Sequence, residues 1–149
     1  MSNIINKDRI VIQEDDENIV HFIESKLLES LHEALPQSLN TGFVLSARDN
    51  TEESKILGGI TASTSYSWLL IKILWVDITE RNSGIGRSLM KEAEQKGKAL
   101  GCHSAWLDTS NPDAMNFYLT LGYKVFGELS NDDNQNPPTH KRWFMKKTL

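Results

Sequence analysis

The chain has 149 residues, 39% of them hydrophobic and 24% charged, which fits one folded domain with a buried core and excludes a disordered chain. A net charge of −4 argues against nucleic acid as a partner, and no apolar run approaches the roughly 20 residues that span a bilayer. The single cysteine, Cys102, can form neither an internal disulfide nor a zinc cluster, so no metal is expected and a reducing cytoplasm is the expected location.

Met1 to Arg9 is polar and lacks the apolar core of a secretory leader, so no such leader is expected. Arg9 to Gln13 reads as a short opening strand, after which Asp15 and Asp16 can cap a helix. From Glu17 to Leu35, Ile19, Phe22, Ile23, Leu27, Leu31 and Leu35 recur at three- and four-residue spacing, the stripe of an amphipathic helix. Phe43 to Arg48 and Ile56 to Ser65 read as strands joined by the polar turn 49–53, a hairpin.

Trp68 to Val76 (WLLIKILWV) is the most apolar stretch and predicts a strand covered on both faces, with Lys72 its only charge. After Gly84 the period changes: Ile85, Leu89, Ala93, Gly97 and Leu100 mark a helix ended by Gly101. Ser104 to Thr109 is a strand. Ser110-Asn111-Pro112-Asp113 starts a helix that Gly122 ends, with Pro112 at its first position. Tyr123 to Leu129 and His140 to Lys147 are the last strands, flanking a polar loop. The order β-α-β-β-β-α-β-α-β-β, without repeats, predicts a single α/β domain over 1–149.

The most informative segment is Arg81-Asn82-Ser83-Gly84-Ile85-Gly86, between the most apolar strand and a helix start. Two glycines let the backbone bend and expose its N–H groups. The helix dipole adds positive potential at the same place, and Arg81 and Arg87 add cations. These features make a cradle for a diphosphate. A plain glycine turn that starts a helix explains the same residues equally well. The third glycine of a dinucleotide fingerprint and the Gly-Lys-Ser/Thr of an NTPase loop are absent.

Leu74-Trp75-Val76-Asp77, followed by Arg81-x-x-Gly84-x-Gly86 and then by Asn111-x-x-Ala114-x-x-Phe117-Tyr118-x-x-x-Gly122-Tyr123, resembles the GCN5-related N-acetyltransferase (GNAT) family. The first motif matches the family's acetyl-CoA signature, Gln/Arg-x-x-Gly-x-Gly/Ala; the second matches the element after its fifth strand. With their flanks they cover Leu74 to Leu129. The resemblance implies a single-domain GNAT-like mixed, mostly antiparallel sheet with helices on both faces and splayed fourth and fifth strands.

It also implies residue roles. Arg81, Asn82, Ser83, Gly84, Ile85, Gly86, Arg87 and Ser88 would hold the pyrophosphate of acetyl-CoA, mostly through main-chain donors. The backbone of Leu74, Trp75 and Val76 would pair with the pantetheine arm. Asn111 matches a position that often contacts the cofactor, and equally a helix N-cap. Tyr118 matches the general acid that protonates the departing CoA thiolate. Some members carry a glutamate base inside the fourth strand, where this chain has Leu70. Asp77, Asp108 and His140 are therefore candidates for proton transfer, with a water chain as the default route.

The expected activity is acetyl transfer from acetyl-CoA directly to a primary amine of a small molecule or peptide, and the resemblance makes a homodimer a reasonable assembly. A CoA-binding sensor without turnover is the alternative. The acidic side chains concentrate in residues 1–80, with 13 against 6 basic, while residues 81–149 hold 7 against 10. That asymmetry favours a cationic acceptor.

Overall fold

The computed structural model describes residues 9–34 and 41–149. The chain divides into two compact units, Met1–Pro36 and Gln37–Leu149. In the first, the Asp16 carboxylate accepts the Asn18 N–H at 2.9 Å and caps a 3₁₀ turn (Glu17–Ile19) that runs into α1 (Val20–Ala34). The expected helix is present; its predicted last residue, Leu35, lies outside the described residues. The strand expected at Arg9 to Gln13 does not form. Ile10, Val11 and Ile12 have the right composition, but a strand exists only through a ladder, and no strand among the described residues pairs with them.

The second unit contains β1 (Gly42–Arg48), β2 (Ile56–Ser65), β3 (Trp68–Val76), α2 (Ile85–Ala99), β4 (Ser104–Thr109), α3 (Pro112–Thr120), β5 (Lys124–Ser130) and β6 (Lys141–Thr148). They form one six-stranded sheet in the order β1-β2-β3-β4-β6-β5. Every neighbouring pair is antiparallel except β3 and β4, which run parallel across the α2 crossover. The fourth and fifth strands of the sequence analysis are thus β3 and β4.

Alternation builds the core. Ile60 and Ala62 of β2, Leu69 and Ile71 of β3, Ala105 and Leu107 of β4, and Met145 of β6 are buried with Leu89, Met90 and Ala93 of α2. The helix lies close to the sheet: a Cβ on Gly97 would sit 2.8 Å from Leu69 Cδ2, and one on Gly58 would sit 3.1 Å from Ile85 Cγ2 of α2. Cys102, as expected of a small apolar group, joins this core.

Two irregularities shape β3. Its register with β2 shifts between Thr61, opposite Ile73, and Ala62, opposite Ile71, so Lys72 is an extra, bulged residue. The bulge lets Leu69, Ile71, Leu74 and Val76 all face the core although the spacing between Ile71 and Leu74 is three. It also corrects the expectation of a strand covered on both faces, because Ile73 and Trp75 are 62% and 46% exposed. Second, β3 and β4 pair only at Trp68–Leu70 with Ser104–Trp106. Beyond Leu70 the two strands part, leaving a fork that opens toward Val76 and Thr109.

Candidate active site

The fork leads into a cavity of about 560 Å³ bounded by the end of β3, the start of α2 and one face of α3. Of the residues proposed from sequence, it brings together Leu74, Trp75, Val76, Arg81, Asn82, Gly84, Ile85, Gly86, Arg87 and Tyr118. Glu80, Asp113, Ala114 and Phe117 complete the lining. Ala114, Phe117 and Tyr118 are spaced three and four apart, so one face of α3 presents them together, and that spacing was the signal available for Phe117 and Ala114. Glu80 and Asp113 carry no such signal, because a loop acid and a helix-start acid are ordinary surface residues.

The entry to α2 is built locally. Asp77 accepts from Thr79 N–H at 2.9 Å and Thr79 hydroxyl at 2.7 Å, starting a 3₁₀ turn (Ile78–Glu80). The Thr79 hydroxyl and N–H hold the Asp77 carboxyl below its usual range. The chain then turns through Asn82 at φ 65° and Gly84 at φ 90°, both left-handed. The Ser83 hydroxyl donates to the Glu80 carbonyl. Gly84 stands at the N-cap with no side-chain hydrogen bond to the helix, so the first-turn amides of α2 have no side-chain acceptor.

Gly86 is not demanded by packing. A Cβ there would make only ordinary contacts, 3.5 Å to the Phe117 ring and 3.7 Å to Val76. Its bare backbone instead leaves the amides at the cavity wall uncovered. Arg81 Nε donates to the Val76 carbonyl at 3.4 Å and Arg87 Nη2 to Thr120 Oγ1 at 3.3 Å, placing two guanidinium groups beside the helix start. Exposed amides, a helix dipole and two cations fit a diphosphate. Ser83 and Ser88 do not line the cavity.

The fork frees backbone groups as well. Asp77 N–H donates to Leu57 O at 2.8 Å, toward β2. Peptide groups alternate along a strand, so those of Leu74 and Val76 turn the other way, into the gap that β4 has left.

Tyr118 is 8% exposed, edge-on to Phe117 and Tyr123 with ring centroids 5.4 and 5.9 Å away. Burial pushes its phenol above the ordinary value, so it holds its proton across neutral pH. No hydrogen bond occupies its hydroxyl among the described residues, whereas the neighbouring Tyr123 hydroxyl donates to Glu94 at 2.9 Å.

The other expected residues lie elsewhere. Asn111 is the N-cap of α3, accepting from Asp113 N–H at 2.9 Å, and does not line the cavity. Asp108, two residues beyond the last β3–β4 pair, binds Arg142 through one oxygen, with Nε at 2.9 Å and Nη2 at 2.6 Å. His140 is exposed immediately before β6 and outside the cavity. The Cys102 thiol is buried, and desolvation raises its pKa.

Comparison with known proteins agrees with this geometry. The Acetyltransferase (GNAT) family profile matches residues 8–123. An acetyltransferase of Agrobacterium fabrum, Atu2258, is 33% identical over 78 residues, 52% of this chain and 57% of that protein. Blasticidin-S acetyltransferase of Streptomyces morookaense is 31% identical over 75 residues, 50% of this chain and 55% of that one. The matched segment thus spans little more than half the length of either curated relative. The crystal structure of an acetyltransferase from Bacillus cereus superposes with a TM-score of 0.77 at 29% identity, covering 95% of this chain and 99% of that chain. The chain belongs to the acetyltransferase (GNAT) family.

Proposed function

We propose that this protein is an acetyl-CoA-dependent N-acetyltransferase that acetylates a primary amine of a small molecule or peptide by direct transfer, with residues 1–149 acting as one catalytic domain. One observation carries the reading. A helix start with glycine at its N-cap and second position and no side-chain cap, flanked by Arg81 and Arg87, opens into the same cavity as Tyr118, whose hydroxyl is unbonded among the described residues, at the mouth of a forked sheet. Family membership and the blasticidin-S relative support an amine acceptor.

Bound acetyl-CoA supplies a thioester whose carbonyl the amine attacks. The amides of α2 bind the diphosphate and orient the molecule, while the peptide groups of Leu74 and Val76 offer an added-strand pairing to its arm. Main-chain N–H groups in the fork face the place where negative charge develops on oxygen. The Tyr118 hydroxyl holds the proton that a leaving thiolate takes. Proton removal from the amine runs through water, with the Asp108 oxygen that Arg142 leaves free as the side-chain acceptor at the fork. Exposed His140 relays to solvent. The buried Cys102, its thiol pKa raised, supports direct transfer over an acyl-enzyme.

The test is a panel of amines incubated with acetyl-CoA, read by free thiol and product mass. Thiol release with an acetylated amine is expected. Saturable acetyl-CoA binding without thiol release across the panel would replace the enzyme by a sensor.

A further inference from the structure

A second cavity, of about 390 Å³, opens at the other end of β3 and is lined by Trp68, Ser104, Gly122, Thr148 and three lysines, Lys124, Lys146 and Lys147. Trp68 and Leu74 are six residues apart on one strand, roughly 20 Å, so the two cavities are separate. Among the described residues no carboxylate lines the second one. Lys147 is already neutralised: its Nζ lies 2.7 Å from Glu94 Oε1. Lys124 and Lys146 are not. They stand directly opposite each other in the β5–β6 register, and neither forms an ion pair among the described residues. Like charges facing each other across a ladder destabilise it, so the pair calls for an anion between them.

Both side chains are exposed, and Lys146 and Trp68 have ring partners. Lys146 Nζ lies over the Phe126 ring, 5.6 Å from its centroid, which limits where its charge can go. Trp68 meets the His103 ring edge-on at 5.2 Å, and His103 Nδ1 is 2.8 Å from the Ser104 hydroxyl, giving the cavity a fixed aromatic surface. Two unmatched lysines and an indole lining one cavity suit a ligand that is doubly negative with a flat or apolar body.

We propose that this cavity binds a small organic dianion, its charge held by Lys124 and Lys146 and its body against Trp68. A phosphomonoester and a dicarboxylate share this chemistry. The site is independent of the acetyltransferase reading.

The test titrates the full chain with phenyl phosphate, phthalate and uncharged benzyl alcohol, following the Trp68 indole and the Lys124 and Lys146 amides by NMR. Saturable shifts are expected with at least one dianion and not with benzyl alcohol. The relative affinities of phenyl phosphate and phthalate identify the source. The Lys124→Gln/Lys146→Gln double variant should bind at least about 10-fold more weakly. Without ligand, either single variant should melt higher than the parent, because the repulsion is gone. A Gly86→Asp variant, altered only in the first cavity, should bind the dianions as the parent does. Failure to saturate at millimolar concentration, equal affinity in the double variant, or shifts that vanish in Gly86→Asp would overturn the proposal.

Discussion

Tyr118→Phe separates chemistry from packing because the neighbouring Tyr123 supplies an internal control. Both rings are buried and meet edge-on at 5.9 Å, yet among the described residues only the Tyr123 hydroxyl has a hydrogen-bond partner. Removing the Tyr118 hydroxyl breaks no hydrogen bond to a described residue, so stability should change by less than the ~0.5–1.5 kcal/mol that a typical hydrogen bond contributes. Losing a general acid costs about 10²- to 10⁴-fold in rate, roughly 2.7–5.5 kcal/mol of transition-state stabilisation.

Tyr123→Phe reverses the pattern. It removes a bond to the carboxylate of Glu94, worth about 1.5–3 kcal/mol, and should lower Tm by roughly 5–10 °C while leaving the rate of the folded enzyme intact. The assay is single-turnover thiol release at saturating acetyl-CoA, with acetyl-CoA affinity and thermal melting measured on both variants. A Tyr118→Phe protein that turns over as fast as its parent where chemistry limits the rate would remove Tyr118 from the mechanism.

Gly86→Asp places a carboxylate against the exposed amides while its Cβ meets only ordinary contacts, so acetyl-CoA affinity should fall by at least about 100-fold with the melt little changed; calorimetric titration reads the first and scanning calorimetry the second. Gly84→Ala forces an alanine into φ 90° with nothing near its Cβ, so it should destabilise by about 1–2 kcal/mol through backbone strain alone, measured by urea unfolding. Gly97→Val drives a branched side chain into Leu69, 2.8 Å from the position of the new Cβ, and should cost about 1–3 kcal/mol in the same assay. The raised pKa of Tyr118 means the folded state holds that proton more tightly than the unfolded chain does. Its stabilising contribution is therefore complete below the ordinary tyrosine pKa and lost as pH rises through the folded value. The alkaline fall in stability, followed by circular dichroism, should be shallower in Tyr118→Phe.

Local signals in the sequence located nearly every element, because each depends on residues within a turn or two. Asn111 caps α3 with Pro112 at its first position, and Gly101 and Gly122, at φ 96° and 95°, follow α2 and α3. The glycine-bent start of α2 was legible for the same reason: Arg81 to Arg87 is one continuous stretch whose turn, amides and cations are contiguous in the chain. Arg9 to Gln13 shows the limit, since a strand's composition does not supply a partner.

What tertiary structure alone decided is everything that depends on residues far apart in the chain. The Lys72 bulge arises where the β2 ladder and the core-facing residues of β3 demand different spacings. The fork depends on β4 leaving β3 beyond Trp106 while its other edge stays paired with β6 as far as Thr109. The sheet register also brings Arg142 to Asp108 across 34 positions, and the position of α2 against the sheet brings Lys147 to Glu94 across 53. A side chain's charge and hydrogen-bonding capacity are written in its own residue, but whether they are satisfied depends on neighbours that only folding brings near.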